Sequence, residues 1–139
     1  MTDAQLIHAA ADAARNAHCP YSRFPVGAAL LTRDGRVFTG VNVENASYGL
    51  TLCAERGAVS AAVTAGALDF DTIAIAADST AIVTPCGACR QVLAEFGPPD
   101  LRIITASIHP PGATGVFTLN ELLPAGFALP AQQKGEPTP

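Results

Sequence analysis

The chain predicts an α/β domain: a mixed sheet with helices on both of its faces. Three observations carry that expectation. Stretches with helical apolar spacing and short β-prone runs follow one another in the order α-β-β-α-β-α-β-(β)-α. Strands followed by helical crossovers imply parallel pairing, because a tight turn cannot return a chain in parallel. An Asp34-Gly35 pair between two β-prone runs is a strong hairpin signal, and it adds an antiparallel pair.

Each element has its own signal. Leu6, Ile7, Ala10, Ala13, Ala14 and Ala17 recur at helical spacing; Thr2 or Asp3 can cap that helix, and Pro20 follows its end. Strands over 26–32 and 36–42 flank the Asp34-Gly35 turn. Residues 45–51, with Ser47, Gly49 and Thr51, read as a loop, and Thr51 can cap a helix over 52–64 that Gly66 closes. Ile73 and Ile75 mark a buried strand over 71–77, and 79–85 is a connection with room for a short strand turn. Pro85 precedes an amphipathic helix over 87–96, which Gly97-Pro98-Pro99 ends. A third buried strand spans 101–105, and His109-Pro110-Pro111-Gly112 makes a turn. A last short strand covers 116–118 and a helical turn 119–123. With 139 residues, the expectation is one domain over 1–129 and a flexible, Pro-rich tail over 130–139. No internal repeat or linker interrupts it.

Composition narrows the function. Hydrophobic residues make up 49% and charged residues 14%, which excludes a disordered chain. The net charge of −4 and a pI near 5.1 argue against a general nucleic-acid or anionic-membrane binder. The first residues lack the basic and apolar regions of an export signal, and no run of apolar residues is long enough to span a bilayer. Four Cys without an export signal point to a reducing, cytoplasmic setting, where thiols serve metal or catalysis more often than disulfides.

Cys53-Ala54-Glu55 opens one predicted helix and Pro85-Cys86-Gly87-Ala88-Cys89 another. Three thiols and a carboxylate thus sit at the positive ends of two helices, which stabilise thiolates. Cys86 and Cys89 are spaced to reach one tetrahedral ion, and Cys53 completes a Cys₃ set. Three protein ligands leave a zinc position for water, the arrangement of a catalytic site. Glu55 is tied to that neighbourhood and can carry a proton from the water to a ring nitrogen and a leaving amine. Zinc with three thiolates is net negative, so something must draw electron density from the sulfurs; Arg56, the helix dipoles and Arg90 are candidates. A structural Cys₄ site using Cys19 and a redox C-x-x-C pair are the alternatives. His8, His18 and His109 are scattered and read as surface or turn residues.

The ligand-x-Glu and P-C-x-x-C combination is the pattern of zinc deaminases. With Pro20-Tyr21-Ser22-Arg23-Phe24-Pro25-Val26-Gly27-Ala28-Ala29, Gly40-Val41-Asn42-Val43-Glu44-Asn45-Ala46-Ser47-Tyr48, the Arg90-Gln91-Val92-Leu93 run and Leu122-Leu123-Pro124-Ala125-Gly126-Phe127, the chain resembles the small homotetrameric cytidine deaminases. The resemblance spans residues 20 to 127. It implies a three-layer α/β/α fold with a mixed five-stranded sheet. It implies hydrolytic deamination of cytidine and 2′-deoxycytidine in pyrimidine salvage, with one zinc per chain. Cys53, Cys86 and Cys89 match the zinc ligands, Glu55 the proton shuttle and Arg56 the residue that hydrogen-bonds ligand thiolates. Asn42 and Glu44 match the pair on the ribose 3′-hydroxyl, Phe24 the aromatic beside the base, and the Ala54 backbone a pyrimidine contact. Ala46, Tyr48 and Phe127 match positions that complete a neighbouring subunit's site. The implied partners are a small nucleoside and further copies of the chain, not nucleic acid or membrane.

His18-Cys19 and the sequence after Phe127 depart from the family pattern. Deaminases of modified cytosine nucleosides share the zinc motifs. Polynucleotide editors usually carry His in place of Cys53 and a basic surface. A structural zinc module would leave Glu55 without a role.

Overall fold

The structure, a computed structural model of the 139-residue chain, describes residues 1–109 and 112–130. Pro110-Pro111 of the expected turn and 131–139 of the expected tail lie outside the described residues.

The first helix, α1, spans Asp3–Ala14. Thr2 caps it: the Gln5 amide donates to Thr2 Oγ1 at 3.1 Å and the Thr2 amide donates to Gln5 Oε1 at 2.9 Å. The helix stops short of Ala17 because the chain is drawn away. The His18 amide donates to the Asn42 carbonyl at 3.0 Å, and the Glu44 amide donates to the His18 carbonyl at 2.8 Å. Strands β1 (Val26–Thr32) and β2 (Val37–Val41) form the hairpin, with Gly35 at φ 88 in the turn. A short 3-10 turn, Tyr48–Leu50, lies inside the predicted loop.

Helix α2 spans Ala54–Thr64, and its N-cap is Cys53, not Thr51. The later start has a tertiary cause. Leu52 exchanges both backbone hydrogen bonds with Val43, each at 2.9 Å, so its peptide cannot enter a helix. Strand β3 covers Phe70–Ala77, α3 Gly87–Phe96, β4 Arg102–Ser107, β5 Gly115–Thr118 and α4 Leu119–Leu122. Residues 79–85 form no strand.

Among the described residues the sheet has five strands in the order β2-β1-β3-β4-β5. Only the β3–β4 pair is parallel; the others are antiparallel. One face packs on α1 through Leu6, Ala10, Ala29, Ala74 and Ile104. The other packs on the remaining helices through Ala58, Leu30, Ile73, Leu93 and Ile103. The result is three layers, α/β/α. Two glycines set how close the outer layers come. A Cβ at Gly27 would collide with the Ala10 carbonyl of α1, and one at Gly40 with the backbone of Ala54, Gly57 and Ala58 in α2.

Candidate active site

Strand direction explains why the predicted site residues meet. β2 and β3 both run antiparallel to β1, so they point the same way. Helices α2 and α3, which follow them, therefore start near the same end of the sheet and on the same face. β1 runs the other way, so its first residue, Val26, and the preceding 20–25 segment lie at that end too.

Cys53 and Cys86 are the N-caps of α2 and α3, and Cys89 lies in the first turn of α3. The Cys86 and Cys89 sulfurs are 3.4 Å apart, those of Cys53 and Cys86 4.0 Å, and all three fall within 4.8 Å of one another. A tetrahedral zinc with Zn–S of about 2.3 Å separates its sulfurs by about 3.8 Å, so this donor set fits zinc closely. Among the described residues it is the cluster able to hold a metal ion, and Cys19 is not part of it. His8, His18 and His109 are also outside it, and His109 faces Asp78 at 3.0 Å.

Arg56 approaches the sulfurs: its Nη2 donates to Cys53 Sγ at 3.4 Å and to the Thr51 carbonyl at 3.3 Å. Its Nε is buried with no partner among the described residues, a donor free for further negative charge. Arg90 does something different from the electron-withdrawing role considered for it. Its guanidinium is spent on the Pro85 carbonyl, the Leu122 carbonyl and Thr84 Oγ1, at 2.7, 2.7 and 3.0 Å. It ties the Cys86 loop to the end of α4.

The thiols share their protons unequally. The bond from Cys89, then Arg56, draws the Cys53 thiol down to about 5, while the same bond and burial push the Cys89 thiol up. Metal binding must therefore displace protons, Cys89's above all. Glu55 is buried at 6% exposure, and burial pushes its carboxyl above the ordinary range, with the Cys53 charge adding to the effect. A carboxyl that holds its proton more tightly than an ordinary glutamate is suited to a shuttle.

A cleft of about 280 Å³ joins these groups. Cys53, Ala54, Glu55 and Cys86 line it from the helix starts; Phe24, Asn42 and Glu44 line it from the other side. Ser22, Ile75, Val83 and Thr84 also line it, and sequence reasoning gave them no role. Ser22 lies in the 20–29 segment that resembles the family, and Ile75 signals only a buried strand; Val83 and Thr84 carry no signal in the sequence. A larger hollow of about 910 Å³ lies between α1 and the end of β4, and it contains Cys19 but none of the proposed ligands or Glu55. The chemistry belongs to the smaller cleft. Ala46, Tyr48 and Phe127 do not line that cleft. Tyr48 is 74% exposed with its ring edge-on to Tyr21 at 5.7 Å, and Phe127 is 69% exposed with its carbonyl held by Gln91 Nε2 at 3.0 Å.

An α/β/α sandwich with a three-thiol centre and a buried carboxyl two residues from one ligand defines a zinc-dependent hydrolytic site of the deaminase class. Residues 1–105 match the cytidine and deoxycytidylate deaminase zinc-binding region, and the chain belongs to that family. It is 50% identical over 122 residues to a cytidine deaminase of Halalkalibacterium halodurans, covering 88% of this chain and 91% of that one. It is 47% identical over 120 residues to a cytidine deaminase of Mycobacterium tuberculosis, covering 86% and 85%. The crystal structure of cytidine deaminase from Burkholderia pseudomallei superposes with a TM-score of 0.86 at 47% identity, covering 91% of this chain and all of that one. No helix among the described residues is long and apolar enough to cross a membrane.

Proposed function

We infer that the chain hydrolyses cytidine and 2′-deoxycytidine to the uridines and ammonia, as one domain over 1–129. The observation that carries this is the meeting of Cys53, Glu55 and Cys86 with Phe24, Asn42 and Glu44 around one cleft. The cytidine deaminase relatives at 47 to 50% identity support it.

Cys53, Cys86 and Cys89 would hold the zinc, which when bound supplies Lewis-acid activation of a water nucleophile at neutral pH. Arg56 offsets the negative charge of the three sulfurs. Glu55 takes a proton from the attacking water and delivers it to N3 of the pyrimidine. It then moves the hydroxyl proton to the departing 4-amino group, so water and the nucleoside leave as ammonia and the uridine. Phe24 offers its ring to the base. Asn42 and Glu44 face the sugar, and a substrate without one forgoes those contacts, so free cytosine is a poor substrate.

The functional unit is a homotetramer. The open cleft needs walls from elsewhere to exclude water, and exposed Tyr48, Leu50 and Phe127 form apolar surface suited to subunit contact. The free thiols and the acidic surface support a cytoplasmic enzyme that acts on small nucleosides, not on nucleic acid.

The test is the fall in ultraviolet absorbance when cytidine, deoxycytidine, cytosine or single-stranded DNA is added to zinc-loaded protein. Turnover of the first two alone is the expected result. Equal turnover of cytosine would sink the sugar-reading role, and no turnover of any would sink the whole reading.

A further inference from the structure

We propose that Glu44, with Asn42, is a positioning residue that latches the 20–25 loop carrying Phe24 to the segment that follows β2 beside the metal centre. The substrates of its test rest on the nucleoside-deaminase reading above; its geometry does not.

The loop joins α1 to β1 without regular structure, so its backbone N–H groups must find other acceptors. The Tyr21 and Ser22 amides both donate to Glu44 Oε1, at 3.0 and 3.1 Å. The Arg23 amide donates to the Cys19 carbonyl at 2.9 Å, and the Phe24 amide to Ser22 Oγ at 3.1 Å. The Val26 amide donates to Asn42 Oδ1 at 2.9 Å, and Asn42 Nδ2 donates to the Phe24 carbonyl at 2.8 Å. Pro25 has no N–H. Of the five amides from Tyr21 to Val26, three end on Asn42 or Glu44.

The loop needs the hold. Arg23 sits at φ 54, in the left-handed region that a residue with a side chain keeps only when its surroundings enforce it. The latch is itself anchored. Val43, between Asn42 and Glu44, exchanges two backbone bonds with Leu52, the neighbour of Cys53. A path of hydrogen bonds and adjoining peptide links therefore registers the aromatic wall of the cleft to a metal ligand. Ser22's side chain, then the Ser22 and Tyr21 amides, hold the Glu44 carboxyl below the usual range, so it is an ionised and strong acceptor at neutral pH. Oε1 serves the loop, which leaves acceptor capacity on the second oxygen for a sugar hydroxyl.

The experiment separates the two roles with a substrate that lacks the hydroxyl. kcat/KM is measured on 2′-deoxycytidine and 2′,3′-dideoxycytidine for zinc-loaded wild type, Glu44→Ala and Glu44→Gln. A residue that only contacted the 3′-hydroxyl has nothing to lose on the dideoxy substrate. The latch predicts that Glu44→Ala still lowers dideoxycytidine turnover by roughly tenfold, the scale of about one net hydrogen bond. Glu44→Gln, which keeps an oxygen for the two amides, restores most of it. Amide hydrogen exchange over residues 20–26 in the same samples should quicken in Glu44→Ala and stay near wild type in Glu44→Gln. If Glu44→Ala does not fold, Glu44→Asp, with a shorter reach, should show the same direction in both readouts. Dideoxycytidine turnover and loop exchange both unchanged in Glu44→Ala overturn the latch. If the wild type deaminates neither nucleoside, the deaminase reading fails, and the exchange measurement still decides the latch.

Discussion

Helices α1 and α4 begin in one way, and α2 and α3 in another. Thr2 and Thr118 close their helices with reciprocal capping boxes, to Gln5 and Glu121. Cys53 and Cys86 occupy the same cap position on α2 and α3, yet neither makes a side-chain capping bond. The first pair satisfies its orphan amides locally, which is how helices are stabilised. The second leaves positive helix ends pointing at sulfur. Those two helix starts give up ordinary capping in favour of a place for a cation and its thiolates. The difference separates positions that hold the fold from positions that hold the chemistry, and substitutions at each should behave oppositely.

The largest effect is expected at Glu55, in the first turn of α2. Glu55→Gln should lower kcat by ~10²–10⁴-fold or more, the usual contribution of a general acid–base group. Zinc content should stay at wild-type level, and thermal stability should not fall, because the variant removes a carboxyl that burial disfavours. Steady-state kinetics, metal analysis and a melting curve on one preparation check all three. Near-wild-type turnover would falsify the shuttle.

Cys86→Ser sharpens the comparison directly. Serine is a good N-cap where the cysteine makes no capping bond, so the variant converts a functional helix start into a structural one. In the presence of zinc the wild type should be the more stable, since ligand binding adds ~2.7 kcal/mol at a hundredfold excess over Kd. In chelator the order should reverse, with the variant ahead by ~0.5–1 kcal/mol. The same order with and without metal would break the contrast drawn between the two kinds of helix start.

Where the sequence was legible and where it was not follows the same division. Local signals carried the hairpin at Asp34-Gly35, the bounds of α3 between Pro85 and Gly97, and the three cysteines at helix starts. What misled was long-range. Thr51 looks like a helix cap until Val43 claims Leu52, and Ala17 fits the helical pattern until Asn42 claims His18. Arg90 sits beside a ligand in the chain, yet its partner Leu122 is 32 residues away. The Glu44 bonds to Tyr21 and Ser22 span 23 and 22 residues, and no spacing rule reaches that far. Tyr48 and Phe127 have identifiable positions in the chain, but that both stay largely exposed is set by the tertiary fold and not by spacing.

On the structural side, Thr2→Ala should cost ~1 kcal/mol through loss of the capping box and leave kcat and zinc content unchanged. Chemical denaturation with activity measured in parallel tests it. A loss of turnover without a loss of stability would mean that α1 takes part in the chemistry.

The smallest effect concerns the same helix end and depends on pH. Arg102 of β4 grips Asp3 in the first turn of α1 with two bonds, Nη1 to Oδ1 at 2.9 Å and Nη2 to Oδ2 at 2.7 Å. The bond from Arg102 holds the Asp3 carboxyl below its ordinary 3.8. A carboxyl whose pKa is lower in the folded chain stabilises the fold while it is ionised. That contribution is complete above the unfolded value and disappears as pH falls from about 3.8 through the lowered folded value. Both side chains are about half exposed, 43% and 51%, so water screens the pair and its worth is only ~0.2–1 kcal/mol. Asp3→Asn should therefore lower the stability of metal-free protein by that amount at neutral pH, and by progressively less as pH falls below about 3.8 through the lowered folded value. Using metal-free protein in both arms keeps thiolate protonation at the zinc centre out of the comparison. A stability gap that persists unchanged in acid would show that Asp3 acts through its shape or its place in the helix rather than through charge.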